Sequence, residues 1–373
     1  MSATPRWLER PPVGVLVVGG GLAGLTSAAA LAEMGASVLI ITDPRPGQAS
    51  PAAAGMLAPS VERARGPADD FAIAARDRYP RYVDWLADRT GVRVPVNREG
   101  ILQVALDDAG AAALRHEVES PSCWVDAAEL ARLEPALSHA SGAILHPHDG
   151  SADNVLLMAA LERYADQSPA IEVVHEAAER IELPSGDGDG VTVISAEGNR
   201  YAARALILAA GAWTPQIRGL PRPLPVEPVR GQMLAVDAHP LRHVVYGPGG
   251  YIVPRESGRT LVGSTMEHVG FDVRTTPDAT ARLRAAGSRI CPALDRGAVV
   301  SEWAGLRPVT PDFLPVLGRD PDFPALVYDC GHSRNGILLT PLTGECAAAL
   351  ALGETPSYDL SPFDIARFAT DGR

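Results

Sequence analysis

A glycine-rich turn near the amino terminus constrains the fold more than any other segment of this chain. The apolar residues 13–18 lead into Gly19-x-Gly21-x-x-Gly24 and an alanine-rich stretch, and residues 37–43 form a second apolar run. Glycines at this spacing allow a tight turn, close approach of a pyrophosphate, and close packing of a helix on a strand. The phosphates then lie on exposed amides at the helix N-terminus. A glycine pattern alone also occurs in ordinary turns, but the strand–helix–strand context predicts a dinucleotide-binding unit.

The chain carries one such pattern. A second glycine cluster, at residues 185–190, is not followed by a predicted helix, and we interpret it as a hairpin turn between strands at 171–175 and 191–195. Enzymes that bind both a flavin and a nicotinamide usually carry two patterns. One pattern therefore predicts one dinucleotide, whose electrons leave by another route.

Composition excludes several classes of protein. The 373 residues suggest two domains, and the net charge of −12 disfavours a general nucleic-acid binder. No apolar run approaches the roughly 20 residues of a membrane helix, and the four cysteines form no CxxC pair, so we expect a cytoplasmic protein without a metal site. The chain contains no lysine, which excludes a pyridoxal Schiff base and a P-loop ATPase. Any cation beside a cofactor must come from arginine or histidine.

Hydrophobic periodicity predicts the other elements. In chain order, we expect a helix over 69–89, strands within 91–106, two helical stretches within 109–133, a helix over 153–165, a buried strand over 205–213, a mainly antiparallel sheet over 224–300, and a strand and a helix within 327–352.

Seven segments together resemble one known family. They are Gly19–Gly24 and residues 52–57 (AAAGML), 208–213 (LAAGAW), 251–255 (YIVPR), 262–266 (VGSTM), 303–308 (WAGLRP) and 334–338 (RNGIL). In this order they are similar to the FAD-dependent amine and amino-acid oxidases of the D-amino-acid oxidase superfamily, and within it to the glycine oxidase branch associated with thiazole synthesis for thiamine.

The resemblance implies an α/β fold with a Rossmann-like FAD-binding domain and an α+β second domain, in which an antiparallel sheet covers the flavin. We expect residues 1–88, 142–218 and 300–373 to form a discontinuous FAD-binding domain. Residues 89–141 and 219–299 are then expected to form the substrate-binding domain.

The resemblance also implies roles for four side chains. Arg307 holds the substrate carboxylate, which agrees with the ability of an arginine fork to bind a carboxylate through two parallel hydrogen bonds. Tyr251 donates its hydroxyl to the same carboxylate, Met266 lines the pocket, and Arg334 lies near the flavin or the pocket wall. The alternatives are a structural salt bridge for Arg307, an ordinary sheet aromatic for Tyr251, and plain core packing for Met266.

FAD binding is expected to involve a larger set of residues. The set comprises Gly19, Gly21, Leu22, Ala23, Gly24, Thr42, Asp43, Ser50, Ala53, Ala54, Gly55, Met56, Ala210, Gly211, Trp213, Arg307, His332, Arg334, Asn335, Gly336, Ile337 and Leu338. We assign the ribose to Asp43, because the acidic residue that binds it usually ends the second strand. Similar flavoproteins of the sarcosine oxidase type often bind FAD covalently through a cysteine near the Gly-Leu-Arg-Pro segment. Residues 303–319 of this chain contain no cysteine, so we expect FAD to be non-covalent. His332 is either a substitute for the lysine that some relatives use to activate oxygen, or a structural histidine.

The resulting hypothesis is oxidative deamination of glycine or a similar small amino acid or amine, with O2 reduced to H2O2 and a link to thiamine thiazole synthesis. Three alternatives stay open: an oxidase of a substituted amine in specialised metabolism, a quinone-linked dehydrogenase, and a flavin-binding regulatory protein without turnover. The residues 247–250 (GPGG) favour the first of these, since they leave room beside Tyr251. A homo-oligomer is also left open.

Overall fold

Long apolar runs and helix caps divide the chain into the elements of a mixed α/β fold. We describe a computed structural model that covers residues 13–63, 66–184 and 190–368. The strands are β1 (Val13–Val18), β2 (Val38–Ile41), β3 (Met56–Leu57), β4 (Val96–Asn97), β5 (Ile101–Ala105), β6 (Cys123–Asp126), β7 (Gly142–His146), β8 (Gly150–Ala152), β9 (Ile171–Val174), β10 (Ala178–Glu182), β11 (Val191–Ser195), β12 (Arg200–Leu208), β13 (Glu227–Val236), β14 (Val244–Gly247), β15 (Gly250–Pro254), β16 (Thr260–Gly263), β17 (Val299–Val309), β18 (Val316–Arg319) and β19 (Leu326–Cys330). The α-helices are α1 (Leu22–Glu33), α2 (Ala49–Ala52), α3 (Pro59–Glu62), α4 (Pro67–Thr90), α5 (Asp108–Arg115), α6 (Ala127–Leu133), α7 (Asn154–Gln167), α8 (Pro277–Ile290) and α9 (Gly336–Ala351).

The first sheet has parallel strands at its centre, in the order β19, β12, β1, β2, β9. β1 and β2 are apolar throughout because both faces of this sheet are covered. The helices α1, α4, α7 and α9 pack on one face. β18 pairs antiparallel with β19, and the β10–β11 hairpin joins the amino-terminal half of β12. The predicted strand–helix–strand unit is therefore confirmed.

The second sheet has eight strands in the order β17, β13, β16, β15, β14, β5, β7, β6. All its neighbours pair antiparallel except β14 and β5, which are parallel. A small third sheet consists of three short strands in the order β3, β8, β4. The expected mixed fold with an antiparallel second sheet is confirmed.

Three expectations about individual elements need correction. The helix α8 lies inside the segment expected to be sheet, although Thr276 caps it by accepting a hydrogen bond from Ala279 N and Pro277 opens it. The strand β9 pairs with β2 and not with β11. The hairpin partner of β11 is β10, which the periodicity did not reveal because its charged residues lie half exposed at a sheet edge. Residues 185–189, the predicted turn, lie outside the described residues.

The expected domain division places two strands differently from the observed pairing. β7 pairs with β5 and β6, and β17 pairs with β13, so both belong to the second sheet. The division at 142 and 300 assigned these segments to the FAD-binding domain. We therefore assign β7 and β17 to the substrate-binding domain. The division of the chain into a three-part FAD-binding domain and a two-part substrate-binding domain stays a proposal. No helix in the described part of the chain is long and apolar enough to cross a membrane.

Candidate active site

A cavity of about 710 Å³ extends from the glycine turn after β1 to the second sheet. The carboxyl ends of parallel strands, where such folds bind ligands, form one end of it. The strands β13, β15 and β17 supply residues at the other end. The cavity therefore joins the nucleotide-binding half of the molecule to the sheet that carries Arg307 and Tyr251.

The glycine turn is built for close approach of backbone segments. Gly19 has φ of +116°, and a Cβ there would lie 2.3 Å from the carbonyl oxygen of Ala209. A Cβ on Gly24 would lie 1.8 Å from the carbonyl oxygen of Gly19, so only glycine lets α1 pack this closely on the turn. The first-turn amides of α1 have no acceptors within the helix, as a bound pyrophosphate requires.

Two side chains already bind amides of this turn. Gly20 N–H donates to Thr42 Oγ1 at 3.0 Å, and Leu22 N–H donates to Ser50 Oγ at 3.0 Å. Thr42 follows β2, and Ser50 lies in α2, so the turn is fixed from both sides. Asp43, the expected ribose ligand, lines the cavity and pairs with Arg45 at 2.8 Å.

Residues 52–56 line the cavity and are held there by two side chains. One is Trp303 of β17, and the other is Arg255, which directly follows β15. Trp303 Nε1–H donates to the Ala52 carbonyl oxygen at 2.9 Å. The buried Arg255 donates to the carbonyl oxygens of Ala54 and Ala152 and to Asn154 Oδ1, at 3.0, 2.9 and 2.6 Å. Burial lowers the pKa of the Arg255 guanidinium. Arg255 therefore has a structural role that the sequence motif did not reveal.

Arg307 lies on β17 with its guanidinium fixed by neutral acceptors. It donates to the Thr265 carbonyl oxygen at 3.0 Å and to Ser264 Oγ at 2.6 Å. A Cβ on Gly231 of the neighbouring β13 would lie 2.1 Å from Arg307 Nη1, so a glycine there makes room for the guanidinium. Within the described part of the chain, Arg307 has no carboxylate at ion-pair distance. Its charge is available to an anionic ligand in the cavity.

Two tyrosines line the cavity beside Arg307. The rings of Tyr246 and Tyr251 stack with centroids 6.4 Å apart and planes inclined by 17°. The Tyr251 hydroxyl lies 3.9 Å from Met233 Sδ, which is a weak acceptor. Burial raises the pKa of Tyr246, so its hydroxyl stays protonated at neutral pH. Tyr246 was not predicted from the sequence, because only its pairing with Tyr251 across β14 and β15 places it here.

Glu62 and Arg334 form an ion pair at the cavity wall. The Glu62 side chain is 10% exposed and that of Arg334 is 47% exposed. Burial raises the pKa of Glu62, and the charges of Arg334 and Arg307 partly offset this rise. Glu62 ends the short helix α3, in a segment without a recognisable motif. The sequence therefore contained no signal for this carboxylate, which lies near both arginines.

A second pair of polar groups faces the cavity from the end of β19. His332 Nε2 and Asp329 Oδ1 lie 3.1 Å apart, both buried, but their geometry does not make a hydrogen bond. Asp329 Oδ2 accepts from the Ser27 hydroxyl at 3.0 Å. Buried polar atoms without partners are rare and favour a polar ligand. Together with the glycine turn, they fit a cofactor that carries hydroxyl and phosphate groups.

The structure brings most of the predicted site residues to this one cavity. Its lining includes Gly19, Gly21, Leu22, Ala23, Thr42, Asp43, Ser50, Ala53, Ala54, Gly55, Met56, Ala210, Gly211, Trp213, Tyr251, Met266, Arg307, His332, Arg334, Gly336 and Ile337. Gly24, Asn335 and Leu338 support it from outside the lining: Gly24 packs on the turn, Asn335 precedes α9, and Leu338 is core. Met266 is 46% exposed, which places it at the cavity mouth and excludes plain core packing. Contacts of these residues with a cofactor or substrate stay predictions.

Known proteins similar to this chain agree with the geometry. A glycine oxidase from Geobacillus kaustophilus is 33% identical over 95% of this chain and 96% of its own length. A crystal structure of glycine oxidase from Geobacillus kaustophilus is 31% identical and superimposes with a TM-score of 0.88, over 96% of this chain and 100% of that chain. An iminodiacetate oxidase from Chelativorans sp. BNC1 is 27% identical with a TM-score of 0.85, covering 94% of this chain and 98% of its own.

A second kind of relative is longer. The bifunctional protein ThiO/ThiG of Synechocystis sp. is 35% identical over 95% of this chain, which spans 54% of that protein's length. The family model described as FAD-dependent oxidoreductase (DAO) matches residues 14–350. Since this model covers most of the chain and the cavity fits its cofactor, the chain belongs to the DAO family of FAD-dependent oxidoreductases, and its cofactor is FAD.

Proposed function

We propose that this chain is an oxidase that converts glycine, or a similar small amino acid, to the imino acid. The observation that carries the proposal is the guanidinium of Arg307, which faces the cavity without a carboxylate partner among the described residues. The proposed products are the oxo acid and ammonia, formed when the imino acid hydrolyses, and H2O2 from O2. Similarity to ThiO/ThiG supports a role in supplying thiazole synthesis for thiamine.

The residues of the chain contribute binding and orientation. FAD, when bound, accepts the two electrons of the oxidation. The Arg307 fork binds the substrate carboxylate, and its bonds to Ser264 and Thr265 fix the fork before substrate arrives. Tyr251 and Tyr246 supply hydroxyl groups at the same wall. Holding the α-carbon in one orientation is the main means by which such a site accelerates the reaction.

A substituted amine or amino acid is the second candidate substrate. Gly247, Gly249 and Gly250 line the cavity with backbone atoms, and the exposed Met266 also lines it. Similarity to the iminodiacetate oxidase supports this candidate. One methylene in a pocket changes discrimination by only about 1–3 kcal/mol, so the substrate is less constrained than the reaction. The cytoplasmic location stays a prediction.

Anaerobic bleaching of the flavin tests the proposed reaction. We expect glycine and N-methylglycine to bleach the FAD of the purified protein at least as fast as bulky D-amino acids, and air to restore the colour with release of H2O2. Bleaching by a large amine and not by glycine would move the assignment to the second candidate. Reoxidation by a quinone and not by O2 would favour a dehydrogenase, and no bleaching by any amine would contradict an enzyme of this class.

Substitution of Arg307 tests the residue that carries the proposal. Arg307→Ala removes one partner of a charge-assisted pair, which costs about 2–5 kcal/mol, so we expect substrate binding to weaken by roughly 30-fold or more. Arg307→Lys should also bind poorly, because an ammonium group cannot form the fork. The exposed Arg282→Ala serves as the matched control. Unchanged substrate dependence in Arg307→Ala, at unchanged FAD content, would show that the carboxylate binds elsewhere.

A further inference from the structure

Besides Arg45, which is paired with Asp43, the cavity is lined by two arginines in different electrostatic states. Arg307 has only neutral hydrogen-bond acceptors among the described residues, whereas Arg334 is paired with Glu62. The Glu62 side chain is 10% exposed, and both residues line the cavity. One cation is therefore available to a ligand, and the second is neutralised by the protein itself.

We propose that Glu62 masks Arg334 and thereby restricts the substrates of this site to amino acids with a single carboxylate. This inference rests on the first candidate of the proposed function, a small amino acid, and it excludes iminodiacetate, which has two carboxylates. With Arg307 engaged by the α-carboxylate, Arg334 is the cation that a second carboxylate of a substrate would need. Glu62 occupies it and adds a negative charge at the same wall.

Two contributions to the binding free energy would oppose a second carboxylate on the substrate. It would have to displace Glu62 from Arg334, which leaves a nearly buried carboxylate without its partner. Without such displacement, it would lie against a like charge in a partly desolvated site, where repulsion is stronger than in water. Neither contribution applies to a substrate with a hydrogen or methyl side chain. This ion pair of Glu62 with Arg334, here called the mask, therefore selects against dicarboxylates by repelling the second carboxylate.

Arg334 also lies near Tyr246. Its charge partly offsets the rise that burial causes in the pKa of the Tyr246 hydroxyl, and the Tyr246 ring stacks on Tyr251. We therefore expect the Arg334 guanidinium to stay at the cavity wall when the Glu62 charge is removed. Glu62→Gln keeps the size of the side chain and should open a second carboxylate site.

Ligand titrations of the FAD-bound protein test the mask without turnover. The probes are acetate as the monocarboxylate and malonate, succinate and glutarate as dicarboxylates, and the perturbation of the flavin absorption band gives each Kd. In Glu62→Gln, we expect the ratio of dicarboxylate Kd to acetate Kd to fall at least tenfold for one member of the series. Glu62→Ala should shift the ratio in the same direction.

Two control variants make the result specific. Glu62→Gln combined with Arg334→Gln should lose the gain, since the exposed cation is then absent. Glu345→Gln removes an exposed ion pair with Arg78 far from the cavity and should leave the ratio unchanged. An unchanged ratio in both Glu62 variants overturns the mask, as does an equal fall in the double variant or in Glu345→Gln.

The test separates failure of the mask from failure of the proposed function. If glycine bleaches the flavin but the Kd ratio does not change, the mask is wrong and the reaction stands. If no amino acid bleaches the flavin but Glu62→Gln shows the fall in the ratio, the reaction is wrong and the mask stands.

Discussion

At the scale of single residues, burial decides the charge state of several groups. His146 is buried in the second sheet, where Ser122 Oγ lies 2.7 Å from its Nδ1 and Gln103 Oε1 lies 3.3 Å from its Nε2. The amide oxygen of Gln103 can only accept, which assigns the proton of the neutral ring to Nε2. Burial, assisted by the charge of Arg63, lowers the pKa of His146 to about 4. The ring is therefore neutral in the folded protein at neutral pH.

This pKa predicts a specific pH dependence of stability. The unfolded chain takes up the proton near pH 6.5, but the folded protein resists it down to about pH 4, so this residue costs stability as the pH falls through that window. The full loss is about 3 kcal/mol. We expect the destabilisation caused by His146→Gln to shrink by that amount between pH 7 and pH 4, measured by urea unfolding. The exposed His239→Gln is the control, and a pH-independent difference for His146→Gln would contradict the prediction.

At the scale of elements, the packing of α1 on α9 sets the shape of the cofactor end. Both helices begin at the cavity, α1 after the glycine turn and α9 at Gly336. Their axes approach closely because Gly344 of α9 faces Thr26 of α1. A Cβ on Gly344 would lie 2.5 Å from Thr26 Cγ2 and 2.8 Å from the Thr26 carbonyl carbon. The backbone atom cannot move without shifting α1.

We expect Gly344→Ala to lower the Tm and weaken FAD binding. Alanine raises helix propensity by about 1 kcal/mol, whereas overpacking of a core contact costs about 1–3 kcal/mol, and contact with backbone favours the larger cost. Gly318→Ala is the matched control, because a Cβ there meets open space. Differential scanning fluorimetry and FAD titration of the apoprotein measure both effects. A Gly344→Ala protein as stable as Gly318→Ala would show that the helices adjust freely.

At the scale of the whole molecule, a buried cation joins the three sheets. Arg255 follows β15 of the second sheet and bonds the carbonyl oxygen of Ala152, which ends β8 of the third sheet. The same guanidinium bonds Ala54, before β3, and Asn154, the first residue of α7 in the layer on the first sheet. Arg255 therefore links the second sheet, the third sheet and the helix layer on the first sheet.

We expect Arg255→Met to destabilise the molecule and to loosen FAD at the same time. The substitution leaves buried acceptors unpaired, at about 1–3 kcal/mol for each group. Arg93→Met is the control, because it breaks an exposed ion pair with Glu256, beside Arg255, and such exposed pairs contribute little to stability. Thermal unfolding followed by FAD fluorescence measures both. Coincident curves for the two variants would contradict this role of Arg255.

The sequence alone determined the features that depend on neighbours along the chain. The glycine turn, α1 and the strands β1 and β2 follow from residues within one 30-residue unit, so backbone sterics and periodicity suffice to predict them. Arg307 and Tyr251 were located through motifs of a known family. In the structure they line the cavity that also contains the glycine turn.

Only the tertiary structure decided which distant segments meet. The Glu62–Arg334 pair joins residues 272 positions apart. Tyr246 lines the cavity because β14 pairs with β15, and β7 and β17 belong to the second sheet because of their pairing partners. Such contacts leave no local pattern, since they depend on long-range strand pairing and side-chain packing in the complete fold. The residues proposed to bind a carboxylate were therefore visible in the sequence, whereas the residue proposed to exclude a second one emerged only from the fold.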